Sequence, residues 1–224
     1  MKKMWMAGLL LAAGTAQAAA PAAKPVASAE FTDPAGDVVK MNGPGNDRDV
    51  VKLTLGSDGT SILVSATLAE DEHGTMASGV VEVYIDSDNN RATGGAARFG
   101  EDETPPKQGY EYRGILSICM VWQDEIGSCA GGPVVPPNTP RVRMVLDQYT
   151  GAPGKPIDMM NSKTLLRGMG PAGPAFSGRL LQGKIPYASL GAKPGQVLRI
   201  SAREDGSTMG SNTNFFPDVL LALK

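Results

Sequence analysis

The feature that most constrains the fold is a period-two alternation of apolar and polar residues, repeated in short runs along the chain. It places successive side chains on opposite faces of an extended strand, so that each run buries one face and exposes the other. Val51, Leu53 and Leu55 form one apolar set with Lys52 and Thr54 opposite, and Ile62, Val64, Ala66 and Leu68 form the next. Between them lies "SDGT", a hairpin signal centred on Asp58-Gly59. Val81, Val83 and Ile85 continue the pattern. Further strands are expected in Tyr110 to Gln123, Val142 to Leu146, Phe176 to Ile185, Val197 to Arg203 and Asp218 to Leu223. Most of the 28 glycines and 17 prolines among 224 residues fall between these runs, where they supply turns. Beyond the N-terminal segment no helical i, i+3, i+4 stripe extends over a dozen residues, and Tyr187 to Gly191 offers one helical turn at most. The expectation is an all-β chain: an antiparallel β-sandwich, jelly-roll-like, of about eight to ten strands with little helix.

Residues 1–18 read as a secretory signal peptide. Lys2 and Lys3 precede an apolar run from Met4 to Gly14, and Ala16-Gln17-Ala18 is a small-x-small cleavage signal. The run is well short of the roughly 20 residues that span a bilayer, so no transmembrane segment is expected in the mature chain. A periplasmic or extracellular location follows. Residues 19–30, rich in Ala and Pro, read as a flexible leader, and residues 31–224 as one domain. Loss of Lys2 and Lys3 lowers the 21 basic residues to 19 against 23 acidic ones. The arginines are scattered among apolar positions, which argues against a nucleic-acid partner, because phosphate neutralisation needs clustered cations.

Cys119 and Cys129 are the two cysteines of the chain, and an even count in an exported chain reads as a disulfide. A hairpin tip at Gln123 to Gly127 would set them opposite one another. The spacing is not that of a C-x-x-C redox pair. The stretch from Ala130 to Pro174 fits the strand pattern least well, with one clear strand between two Pro/Gly-rich loops. Met144, Met159, Met160 and Met169 lie in it and read as packing residues rather than as a copper site, which needs convergent sulfurs or imidazoles.

The inventory of reactive side chains is short. His73, in "EDEHGT", is the single histidine. A Ser-His-Asp relay would depend on that one loop residue, and a multiple-His zinc site is ruled out. No G-x-S-x-G elbow is present. Paired carboxylates for glycoside hydrolysis remain available among Glu70 to Glu72, Asp86, Asp88, Glu101 to Glu103, Glu111, Asp124 and Glu125, although acids in polar turns are ordinarily solvated.

"VVEVYIDSDNNRATG", Val80 to Gly94, ends a strand in Asp86, Asp88 and Asn90 at i, i+2 and i+4. Such oxygen carriers converge on a hard cation when the backbone curls around it, and they also form plain Asx turns. The stretch is not an EF-hand, since Arg91 stands where that loop has Gly and Ala97 where it has Glu. Glu111 in "GYEYR" supplies a fourth oxygen carrier if its strand lies beside Val80 to Asp86. The metal set expected here is Asp86, Asp88, Asn90 and Glu111, with calcium the ion that suits it.

"FTDPAGD", "VVEVYIDSDNNRATG" followed by "GYEYR", and "GKIPYASLG" before "LRISARED" resemble, in that order, the β-sandwich modules related to family-9 carbohydrate-binding modules and the wider DOMON-like group. The resemblance spans nearly Phe31 to Lys224. It implies an accessory domain of exported proteins, in some members with a structural calcium. Sugar-binding members clasp ligand between exposed aromatics, which makes Trp122, with Tyr110 and Tyr112, the candidate platform, a core position for Trp122 being the alternative. Haem-binding members need axial Met or His ligands, and His73 alone argues against that. The function expected is a non-catalytic binding module for a carbohydrate or cell-surface ligand. The alternatives are a structural or protein-interaction component of the bacterial envelope, or a hydrolase using two acids.

Overall fold

The computed structural model describes residues 24–33, 50–69, 80–98, 103, 106–120, 140–158, 160–168, 175–177, 179–204 and 215–224. They build two antiparallel sheets that face each other across one apolar core. The first carries β1 (Ser28–Thr32), β2 (Val50–Ser57), β3 (Ser61–Leu68), β10 (Ala175–Ser177) and β11 (Leu180–Pro186), in the order β1-β2-β3-β11-β10. The second carries β4 (Val80–Asp86), β7 (Tyr112–Met120), β8 (Pro140–Tyr149), β9 (Ser162–Gly168), β12 (Val197–Glu204) and β13 (Val219–Ala222), in the order β13-β12-β4-β7-β8-β9. β5 (Gly95–Ala96) and β6 (Gln108–Tyr110) form a small separate pair, and α1 (Tyr187–Leu190) is the single helical turn among the described residues. Among the described residues the fold is an all-β sandwich of thirteen strands, more than the alternation alone gives.

The core is the alternation made physical. Ile62, Val64, Ala66 and Leu68 from β3 meet Val81, Val83 and Ile85 from β4, all at most 1% exposed. In β2 the inward set differs by one residue at its start: Val50 is buried and Val51 is not. A bulge between Val50 and Lys52 shifts the pairing with β3 there, and one extra residue exchanges the faces of a strand. Met144 packs in the core, whereas Met160 is 93% exposed. β1 begins at Ser28, ahead of the expected start at Phe31, because its backbone pairs with β2 from Ser28↔Gly56 onward. β9, expected as loop, pairs with β8 at the sheet edge; its largely exposed side chains leave no alternating pattern to read.

The expected hairpin tip at Gln123 to Gly127 lies outside the described residues. Cys119 pairs through its backbone with Arg141 of β8, and Met120 with Pro140, so the ladder does not place Cys129 opposite Cys119. Cys129, Trp122 and His73 lie outside the described residues. No helix among the described residues is long and apolar enough to cross a membrane.

The outer face of the six-stranded sheet is not open to water in its middle. Residues 87–98, 106–111 and 150–158 fold across it, tied together by Ala96 N–H to Lys155 C=O at 2.8 Å and Ile157 N–H to Ala96 C=O at 3.0 Å. A second apolar cluster of Tyr84, Ala97, Tyr110 and Ile157 forms beneath this cover. Beside it Glu82, Arg113, Asp147 and Arg203 are buried as a row of alternating charge.

Candidate metal centre

The strand β4 delivers Asp86 to the end of the six-stranded sheet, fully buried, and the chain then turns sharply. Asn89 takes a left-handed conformation, φ 55°, which Asn tolerates better than most residues. The turn folds back through Thr93, whose N–H donates to Asn90 C=O at 3.1 Å. Glu111 sits between β6 and β7, where its N–H donates to Ile85 C=O at 3.0 Å. That bond places its side chain against the turn. Ser87 N–H and Ser87 Oγ then donate to Glu111 Oε2 at 2.7 and 3.1 Å.

The outcome is that one carboxylate oxygen from each of Asp86, Asp88 and Glu111 lies within 4.8 Å of the others. Two calcium–oxygen bonds of about 2.4 Å span that distance. Thr93 Oγ1 stands in the same place, 2.8 Å from Asn90 C=O, 3.0 Å from Asp88 Oδ2 and 3.4 Å from Glu111 Oε1. A hydroxyl donates one proton, so Asp88 Oδ2 and Glu111 Oε1 compete for this donor, while Asn90 N–H donates to the other Asp88 oxygen at 2.8 Å and to Asp86 Oδ1 at 3.3 Å. Asn90 contributes differently from the expectation. Its side-chain Oδ1 accepts from Ala92 N–H at 3.1 Å in an Asx turn, and its main-chain carbonyl is what faces the cluster.

Electrostatics separates the cluster from an ordinary ion pair. Arg199, on β12, donates to Asp86 Oδ2 from Nε at 2.9 Å and from a terminal nitrogen at 2.6 Å. This is the one cation bonded to the three carboxylates among the described residues, leaving a formal local charge of −2. Burial pushes the Glu111 carboxyl above its usual range, and the neighbouring Asp88 and Asp86 charges push it further. Burial also raises Asp86, an effect that Arg199 only partly offsets. Oxygen donors, a shortage of protons and a charge of −2 fit a divalent hard cation.

Arg199 links the cluster to a second group of charges. Its guanidinium lies 4.7 Å from the Tyr110 ring centroid and reaches Asp218 at 3.4 Å. Asp218 also receives Lys107 at 2.7 Å and Arg91 at 3.0 Å. Burial raises the Asp218 carboxyl, but Lys107 and Arg199 outweigh it and hold the group below its usual range.

Of the residues expected as an aromatic platform, Tyr110 is fully buried in the second cluster, and Tyr112 is 9% exposed in the main core with its hydroxyl donating to Leu190 C=O at 3.1 Å. Neither presents a ring face to solvent. Tyr110 is covered because Ala97 and Ile157 pack over it on the outer face of the sheet, and Tyr112 begins the next strand with its side chain inward. Sequence reading missed Arg199, Asp218 and the Thr93 hydroxyl. Only Thr93 carried a signal, as part of the Thr-Gly that turns the chain. No family model, curated protein or solved structure matches this chain.

Proposed function

We propose that the chain is an exported, non-catalytic binding module for a carbohydrate or other cell-surface ligand, with its loop end organised by one structural calcium ion. The convergence of the Asp86, Asp88 and Glu111 carboxylates, with Arg199 the one counter-cation among the described residues, carries the calcium part of this reading. Asp86, Asp88 and Glu111 would hold the ion through carboxylate oxygens, joined by the Asn90 carbonyl and the Thr93 hydroxyl. The ion would neutralise the cluster and pin the 87–98 and 106–111 segments to the end of β4. The signal-peptide-like N-terminus and the order of motifs shared with family-9 carbohydrate-binding and DOMON-like modules support the exported binding role.

The test is thermal unfolding of the full mature chain, stripped of metal and then given calcium. An ion that binds the folded state alone adds RT ln(1 + [L]/Kd), about 2.7 kcal/mol at a hundredfold excess over Kd. The melting temperature is expected to rise with calcium and fall with chelator, and Asp88→Ala should abolish that response while keeping the β-rich spectrum. Superimposable curves with and without calcium would leave the stretch a plain Asx turn. Export also implies a Cys119–Cys129 disulfide. Intact mass after alkylation without reduction should then show no modified thiol, and two alkylated cysteines would disprove the bridge.

A further inference from the structure

We propose that the outer face of the five-stranded sheet is a binding groove for an uncharged, hydroxyl-rich chain, a segment of neutral polysaccharide. The inference rests on the binding-module reading and adds to it the face and the ligand class. A groove of about 650 Å³ crosses β1, β2, β3 and β11, within the range of roughly 300–1,000 Å³ typical of ligand clefts. Its lining follows from the strand register. Ser28, Gly56, Leu63 and Lys184 stand side by side in one row, and Thr54, Ser65 and Gln182 in the next row on the same face.

Gly56 marks this as more than a solvated sheet face. Its backbone has no left-handed φ, and a Cβ built there would meet only Ser28 Cβ, at 3.8 Å, which is ordinary van der Waals contact. Neither backbone conformation nor packing demands glycine at a site where it weakens the strand. A strand glycine often marks a bulge, a tight bend or close approach by a ligand or another backbone, and the β1–β2 and β2–β3 registers run through Gly56 without a bulge. Here the missing side chain deepens the groove between Ser28 and Leu63.

The chemistry of the lining selects the ligand. Ser28, Thr54, Ser65 and Gln182 offer three hydroxyls and a primary amide, groups that both donate and accept, as sugar hydroxyls do. None of these four side chains is hydrogen-bonded within the described protein. Charge is nearly cancelled: Lys184 is paired with Asp58 at 3.0 Å, and Lys224 stands at the end of β2, where its N–H donates to Ser57 Oγ at 2.9 Å. An acidic polymer would find one unmatched lysine, and a basic one no unmatched carboxylate in the lining.

The experiment is affinity electrophoresis of the mature chain through gels containing hydroxyethyl cellulose, galactomannan or starch, with polygalacturonate as the acidic control. Retardation is expected in at least one neutral gel and should persist at high salt, because no ion pair carries it. Gly56→Leu, which fills the groove, should lower affinity at least about tenfold. A Thr54→Ala, Gln182→Ala double variant should do so by about the same factor, with far-ultraviolet spectrum and melting temperature unchanged, and it serves as the readout if Gly56→Leu disturbs folding. Retardation in a neutral gel that survives the folded variants would overturn the groove while leaving the binding-module reading intact. Salt-sensitive retardation by polygalacturonate alone would overturn the neutral ligand. No retardation in any gel would overturn the groove proposal and count against the carbohydrate reading, while a calcium-dependent melting shift would still stand apart from both.

Discussion

Two groups of acids meet at the outer face of the six-stranded sheet, one buried throughout and one graded from buried Asp86 through half-buried Glu111 to exposed Asp88, and they differ also in the supply of cations. In the row across β8, β7, β4 and β12, Asp147 meets Arg113 at 2.9 Å and Glu82 meets Arg203 at 2.7 Å, with Arg113 also 3.9 Å from Glu82. Two carboxylates there face two guanidinium groups. At the end of β4, three carboxylates share Arg199. The pKa directions follow the count. Burial raises Glu82, but Arg203 and Arg113 outweigh it and hold the group below its ordinary value, whereas Asp86 and Glu111 stay above theirs. A matched buried row holds the covering segments to the sheet, while an unmatched cluster calls for a ligand.

The sharpest way to break this comparison is to unbalance the matched row. Glu82→Leu removes the acceptor of Arg203 Nε and of the Tyr84 hydroxyl, and takes one buried carboxylate from beside Arg203 and Arg113. Breaking a buried ion pair from one side costs about 3–5 kcal/mol, since the orphaned charge stays desolvated. Denaturant unfolding should show a loss of that size. Removing the Asp88 carboxylate from the unmatched cluster in metal-free protein should cost far less. Equal losses at both places would erase the distinction.

A smaller effect is expected where the backbone rather than charge closes the cluster. Gly94 has φ 65°, and a Cβ there would lie 2.6 Å from the Tyr110 backbone and 2.7 Å from Glu111 Oε1. Gly94→Ala should therefore cost about 1–3 kcal/mol through left-handed strain and displacement of Glu111. It should also blunt the calcium response in the same melting experiment. A variant that keeps the full calcium shift would show that Glu111 is not a ligand.

How much of this was legible in the chain depends on whether a residue acts through local pattern or through long-range pairing. The inward sets of β3 and β4 alternate cleanly, so the sandwich was readable, as was the Asp86–Asp88 pair at a strand end. The bulge at Val50 was not, because Val50-Val51 are chemically alike and the register is set by β3. Glu82, Tyr84, Arg113 and Arg203 stand at positions that alternation assigns to the solvent face, and only the 87–98, 106–111 and 150–158 segments, folding across them, make that face an interior. Arg199 and Asp86 are partners across 113 residues of sequence, joined by the β4–β12 register. No local spacing encodes that contact. Asn90 was legible as an oxygen carrier but not as a carbonyl donor, since its side chain is taken up by the turn it helps to form.

The finest test changes one charge and no shape. Glu111→Gln keeps an oxygen able to accept from Ser87 N–H and Oγ, and removes the carboxylate whose pKa burial, Asp88 and Asp86 push up. A carboxyl raised in the folded state binds its proton more readily there than in the unfolded chain. Its contribution favours folding below its unfolded pKa and is lost as pH rises through the folded value, so at neutral pH the ionised Glu111 destabilises the metal-free protein. Glu111→Gln should accordingly stabilise the metal-free form at neutral pH, by up to about 1 kcal/mol for a partly solvated site. The difference from the parent should shrink as pH falls through the raised Glu111 value, where the parent carboxyl itself takes up a proton. Added calcium should reverse the order, stabilising the parent and leaving the variant unmoved. If Glu111→Gln instead destabilises the metal-free protein at neutral pH as much as at acid pH, Glu111 acts as a hydrogen-bonding strut for Ser87, and the repulsion among the three carboxylates is not what the turn stores.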